Sequence, residues 1–70
     1  METLSARNQL KGTVMDVKKG NIMAEIVLKL RSGDELVSVI TAESAKRLSL
    51  KKGDEVVAVI KSTEVMIGRP

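Results

Sequence analysis

The sequence predicts an all-β fold, a small antiparallel barrel of five short strands with one short helix, and three observations lead there. One segment alternates strictly: Ile22, Ala24, Ile26, Leu28 and Leu30 fall on one face, and Met23, Glu25, Val27, Lys29 and Arg31 on the other. That is the period of a half-buried strand. A β-branched strand is also written twice, as Gly33-Asp34-Glu35-Leu36-Val37-Ser38-Val39-Ile40-Thr41 and again as Gly53-Asp54-Glu55-Val56-Val57-Ala58-Val59-Ile60-Lys61. Each copy starts from a Gly-Asp turn. Finally, the strands from the first to the third are joined by short polar turns, which only antiparallel neighbours permit.

In chain order, the first strand covers 10–17, with apolar Leu10, Val14, Met15 and Val17, and Gly12 inside it marks a kink or a close backbone approach. Lys18-Lys19-Gly20-Asn21 forms a hairpin turn. The alternating strand, 22–31, turns its even positions to the core. Arg31-Ser32-Gly33-Asp34 turns the chain into a third strand, 35–40. Ala42, Ala45 and Leu48 then recur every three residues behind Thr41, a good N-cap, with Glu43 in the first turn and Lys46 and Arg47 in the last. This is a short helix. Leu50-Lys51-Lys52-Gly53-Asp54 returns the chain to the second copy of the repeated strand, and a fifth strand at 64–67 leaves Gly68-Arg69-Pro70 as a tail. With no linker in it, the chain reads as one domain, 1–70, built as an OB-like barrel of the oligonucleotide/oligosaccharide-binding kind.

Seventy residues bury a small share of their surface, so stability needs help. There is no cysteine for disulfides, and with no histidine either a zinc site would rest on carboxylates alone. Association between chains is the remaining device. The 43% apolar residues include no Phe, Tyr or Trp, which leaves aliphatic side chains to fill the barrel. Twelve Lys and Arg against nine Asp and Glu give a net charge of +3, a weak preference for anionic partners. Without aromatic platforms, base stacking is disfavoured, although phosphate contact is not. No apolar run approaches the roughly 20 residues that span a bilayer. Met1-Glu2-Thr3 lacks a basic-then-apolar signal segment, so a soluble, cytoplasmic chain with no membrane partner is expected.

Three polar segments carry the chemistry. Thr41 and Ser44 stand at the N-cap and third position of the helix, where unpaired N–H groups and hydroxyls suit an anion, or serve only as a cap. Lys61-Ser62-Thr63 ends the second repeat: Lys61 is a counter-charge for an anion, or a solvated edge lysine. Ser5-Ala6-Arg7-Asn8 offers a hydroxyl and the planar fork of Arg7, which matches two oxygens of an oxyanion, while Asn8 reads as structural. As a lead-in segment it could equally be a flexible polar stretch. Catalysis finds little support. There is no His or Cys, no recognisable serine-nucleophile motif and no glycine-rich phosphate loop. The acids Asp34, Glu35, Asp54 and Glu55 belong to turns, and the four methionines read as filler. No enzyme is expected.

Taken together, Ser5-Ala6-Arg7-Asn8-Gln9-Leu10-Lys11-Gly12, Ile40-Thr41-Ala42-Glu43-Ser44-Ala45 with Leu48, Leu50 and Gly53, and Val57-Ala58-Val59-Ile60-Lys61-Ser62-Thr63 resemble the molybdate-binding Mop domains, whose free-standing members are the molbindins. The resemblance covers almost the whole chain. It implies a five-stranded barrel assembled as a hexamer, a trimer of dimers, with molybdate or tungstate held between subunits. By motif, Ser5 and Arg7 would come from one subunit, and Thr41, Ser44, Lys61 and the backbone N–H of Ser62 would complete the site. Many relatives carry Ala where this chain has Ser62, a change that spares the backbone donor. No cofactor and no direct metal ligand are implied, since the oxyanion is held by hydrogen bonds. The role implied is storage and homeostasis of the oxyanion, with no nucleic-acid partner. Related assemblies have further oxyanion sites on symmetry axes, which the motifs do not map. A rival resemblance, over residues 40–55, is to swapped-hairpin DNA-binding regulators and antitoxins. Their usual Pro after the Thr is Ala42 here, and they leave the Ser5 and Lys61 segments unexplained.

Overall fold

The structure is a computed structural model and describes residues 3–70. Two of the three residues read as lacking a signal segment, Met1 and Glu2, lie outside the described residues, as does the first part of the expected domain. The elements are β1 (Asn8–Lys19), β2 (Met23–Leu30), β3 (Glu35–Thr41), α1 (Ala42–Arg47) and β4 (Glu55–Ile60), followed by a 3-10 turn at Ser62–Glu64. They build one curled sheet in the order β3-β2-β1-β4, antiparallel throughout.

Among the described residues four strands form where five were expected. Directly after β4 the Glu64 N–H donates to the Lys61 carbonyl at 2.9 Å, which winds 62–64 into the 3-10 turn, and 65–67 then run on with no ladder partner. The apolar run is too short to hold itself, and Met66 and Ile67 are each 91% exposed. The first hairpin is also tighter than expected. Lys18 and Lys19 belong to β1, pairing with Glu25 and Ala24, and the Gly20 N–H donates to the Met23 carbonyl at 2.8 Å. Ile22 is therefore in the turn and exposed, so the inward row of β2 reduces to Ala24, Ile26 and Leu28, with Leu30 half-buried.

The core consists of those three residues with Val14 and Ala45, and Val17, Leu36, Ile40, Leu50, Val56 and Ala58 pack around it. Val14 and Val17 are three apart, an odd spacing that a regular strand would put on opposite faces. A β-bulge between Val14 and Asp16 inserts Met15 and turns both valines inward. The expected kink is thus at Met15. Gly12 answers the other expectation: a Cβ there would stand 3.1 Å from the Lys29 carbonyl oxygen and 3.3 Å from Leu30 Cδ2. It is the close approach of β1 to β2.

The two repeats share their turn chemistry. Gly33 and Gly53 both have φ of +95°, a conformation open to glycine. Asp34 accepts from Ser32 Oγ at 2.8 Å, and Asp54 from the Lys51 N–H at 3.0 Å. β3 and β4 form the two edges of the sheet, and between them lies a cleft of about 730 Å³ lined largely by apolar side chains, among them Leu36, Ile40, Leu48, Leu50, Ala58 and Met66. The barrel stays open along this seam.

Candidate functional site

Thr41 ends β3 in an extended conformation and caps α1. Its Oγ1 accepts the Ser44 N–H at 3.0 Å, and its own hydroxyl donates to Ser44 Oγ at 2.8 Å. The two hydroxyls are therefore coupled: once Thr41 has given its proton to Ser44, the Ser44 O–H is the donor left to offer outward. The Ala42 N–H is spent on the Ile22 carbonyl at 2.7 Å, docking the start of the helix on the β1–β2 turn. Thr41 is exposed and Ser44 half-buried.

Arg7 and Lys61 are brought together by register. The last pair of the β1–β4 ladder is Asn8 with Ile60, and Arg7 and Lys61 are the residues just beyond it at the ends of the two strands. Lys61 keeps an extended backbone, φ −66° and ψ 132°, before the 3-10 turn begins. Asn8 fixes the junction, its Nδ2 donating to the Ile60 carbonyl at 3.3 Å, so its structural reading holds. Two cations at facing strand ends repel, and neither is in an ion pair among the described residues. Ser5 and Ser62 flank them in sequence, and all four residues are exposed.

One chain does not bring the two halves together. β3 and β4 are three antiparallel steps apart, so they run in opposite directions and their equivalent ends, Thr41 and Lys61, lie at opposite ends of the sheet. Thr41 pairs with Met23, next to Ala24, which pairs with Lys19 at the far end of β1; Lys61 stands by Asn8 at its start. The repeat made the two positions equivalent, and topology sets them a strand length apart.

The chain is thus a curled antiparallel sheet on an OB-like frame, with the two hydroxyls at one end and the two cations at the other. The TOBE domain family model matches residues 4–67, a span that takes in both segments the swapped-hairpin resemblance left unexplained. The chain is similar to molybdenum-pterin-binding protein 3 of Clostridium pasteurianum, 54% identical over 65 residues that cover 93% of this chain and 96% of the relative. Its fold is similar to that of MopII from the same organism, with a TM-score of 0.90, 48% identity and coverage of 96% of this chain and all of that one. It is also similar to a molybdate-binding protein from Sporomusa ovata, with a TM-score of 0.91, 41% identity and coverage of 97% and 100%. The chain belongs to the TOBE domain family, grouping within it with the molbindins.

Proposed function

We propose that this protein binds molybdate or tungstate as an intact tetrahedral dianion, without catalysis, at sites completed between copies of the chain. The observation that carries the reading is the pair Arg7 and Lys61, the residues just beyond the Asn8–Ile60 end of the β1–β4 ladder, neither of which has an ion-pair partner among the described residues. A dianion between them relieves their repulsion, and each charge-assisted hydrogen bond contributes about 1.5–3 kcal/mol against about 1 for a neutral one. Ser5, Ser44 and the Ser62 N–H supply the neutral donors, and Thr41, by donating to Ser44 Oγ, leaves the Ser44 O–H to face outward. Since Thr41 and Lys61 of one chain stand at opposite sheet ends, a site holding all six residues draws on at least two chains. The molybdate-binding relative from Sporomusa ovata and the molybdenum-pterin-binding relative from Clostridium pasteurianum support the choice of ligand.

The assembly is a hexamer, a trimer of dimers, and the role is storage and homeostasis of the oxyanion in the cytoplasm. Among the described residues no helix is long and apolar enough to cross a membrane, and no cluster of carboxylates could hold a metal ion. A calorimetric titration series is the test. Molybdate and tungstate should bind saturably, and sulfate and phosphate far more weakly, because fixed donors reward a match in size and charge. That preference should survive added salt, whereas binding to a merely basic surface falls steeply as counterions compete. No heat with molybdate alongside tight, sequence-dependent binding of duplex DNA would overturn the reading.

A further inference from the structure

A second cleft, of about 550 Å³, opens on the outward face of the sheet, away from the core. The registers lay out its lining. Thr13 of β1 pairs with Lys29 of β2 on one side and with Glu55 of β4 on the other, and Lys29 pairs in turn with Glu35 of β3, one row across four strands. Lys11 pairs with Val57, and Arg31 follows Leu30, the partner of Gly12, so Arg31 and Lys11 share the next row. Strands lie about 4.8 Å apart and alternate residues about 6.7 Å apart. Lys11, Lys29 and Arg31, the first turn residue after β2, are thus three neighbours of like charge; Glu35 of β3 pairs with Lys29 from outside the cleft lining, and none of the three cations is in an ion pair among the described residues. The one acid of the cleft, Glu55, sits on the β4 side, separated from Lys29 by Thr13.

We propose that this cleft binds a phosphorylated heterocycle, of the class of a purine nucleoside monophosphate. Its size falls in the range of small-molecule sites, about 300–1,000 Å³, and far exceeds what a bare oxyanion fills. The phosphate lies among Lys11, Lys29 and Arg31, where the fork of Arg31 grips two oxygens and the lysines act as point charges. The N–H edge of the base faces the Glu55 carboxylate, an acceptor without a donor of its own. The ring rests on Met15 and Val57, a thioether and an aliphatic face standing in for the missing aromatics. The site is separate from the oxyanion residues: Arg7 is four residues back along β1 from Lys11, about 13 Å at strand spacing.

The test uses the full chain in its native assembly, with guanosine 5′-monophosphate and inorganic phosphate as probes, read by calorimetry and by amide shifts in two-dimensional NMR. Guanosine monophosphate should bind saturably, shift the amides of residues 11–13, 29–31 and 55–57, and bind at least about tenfold more tightly than phosphate. K29Q and R31Q should each weaken it about tenfold or more, and E55Q about fivefold, with the affinity for phosphate unchanged in E55Q. K61A and K51Q should leave it unchanged, which also separates this cleft from the molybdate reading. Absence of saturation at millimolar nucleotide, equal affinity for phosphate, shifts confined to other residues, or loss in K51Q equal to that in K29Q would each overturn the proposal. So would single-stranded oligonucleotides that bind ever more tightly with length while the mononucleotide does not bind.

Discussion

At the scale of single residues, charge outweighs neutral donors. Lys61→Ala and Arg7→Ala should each weaken molybdate binding by about 2 kcal/mol, roughly thirtyfold, because each leaves the dianion under-neutralised. Lys52→Ala, in the exposed turn before β4, should change little, and calorimetry on the three variants makes the comparison. The hydroxyl pair separates stability from binding. Thr41→Ala removes the acceptor of the Ser44 N–H and should cost about 1 kcal/mol of stability in denaturant melts. Ser44→Ala leaves that cap bond intact, so it should melt within about 0.5 kcal/mol of the parent. Its oxyanion affinity should nonetheless drop about fivefold, one neutral hydrogen bond lost. A Ser44→Ala protein that melts early but binds normally would reverse the assignment, making Ser44 a structural residue.

At the scale of elements, the sequence was most informative where one face is buried. The alternation of β2, the Gly-Asp turns and the capped helix were all legible, because each depends on its own residues or on a core that every register must respect. The bulge at Met15 was not, since a run with Val14, Met15 and Val17 fits two faces until β2 fixes the register on both sides of it. The fifth strand failed for the opposite reason: its pattern is apolar, but a strand is a relation to a neighbour and 65–67 have none among the described residues. The site was legible as a set of residues and not as a place. Nothing in the spacing of Thr41 and Lys61 encodes the three reversals of direction between β3 and β4. Gly12 offers the element-level prediction. Gly12→Ala puts a methyl 3.1 Å from the backbone oxygen of Lys29, which cannot give way without breaking the ladder, and should destabilise the protein by about 1–3 kcal/mol in thermal melts at fixed concentration. Gly68→Ala, with nothing within 4 Å, should be neutral and serves as the control.

At the scale of the whole molecule, the apolar surface is larger than this chain can hide. Among the described residues only five apolar side chains are buried, none larger than isoleucine or leucine, while Val37, Val39, Leu48, Val59, Val65 and Met66 are all at least 44% exposed. Apolar surface at that density, beside an apolar cleft between open strand edges, points to a protein completed by its own copies. If the assembly is the proposed trimer of dimers, the chain should run at six times the chain mass by light scattering coupled to size exclusion, with no stably folded monomer on dilution. A compact monomer at micromolar concentration would contradict this.

The strand order also divides the sheet by how firmly its strands are held. From Ala24 to Lys29 every residue of β2 is flanked on both sides, whereas among the described residues β1 is held on both sides only from Gly12 to Val14, which also bonds the Gly53–Asp54 turn, and β4 hangs on the first half of β1 alone. β4 can therefore lift away without disturbing the β1–β2–β3 meander, the lowest-energy opening the topology allows. Amide deuterium uptake should be slowest along β2 and fastest along β4. Because neighbouring copies are what would hold β4 down, its uptake alone should quicken as the protein is diluted, so that one strand acts as a built-in gauge of assembly.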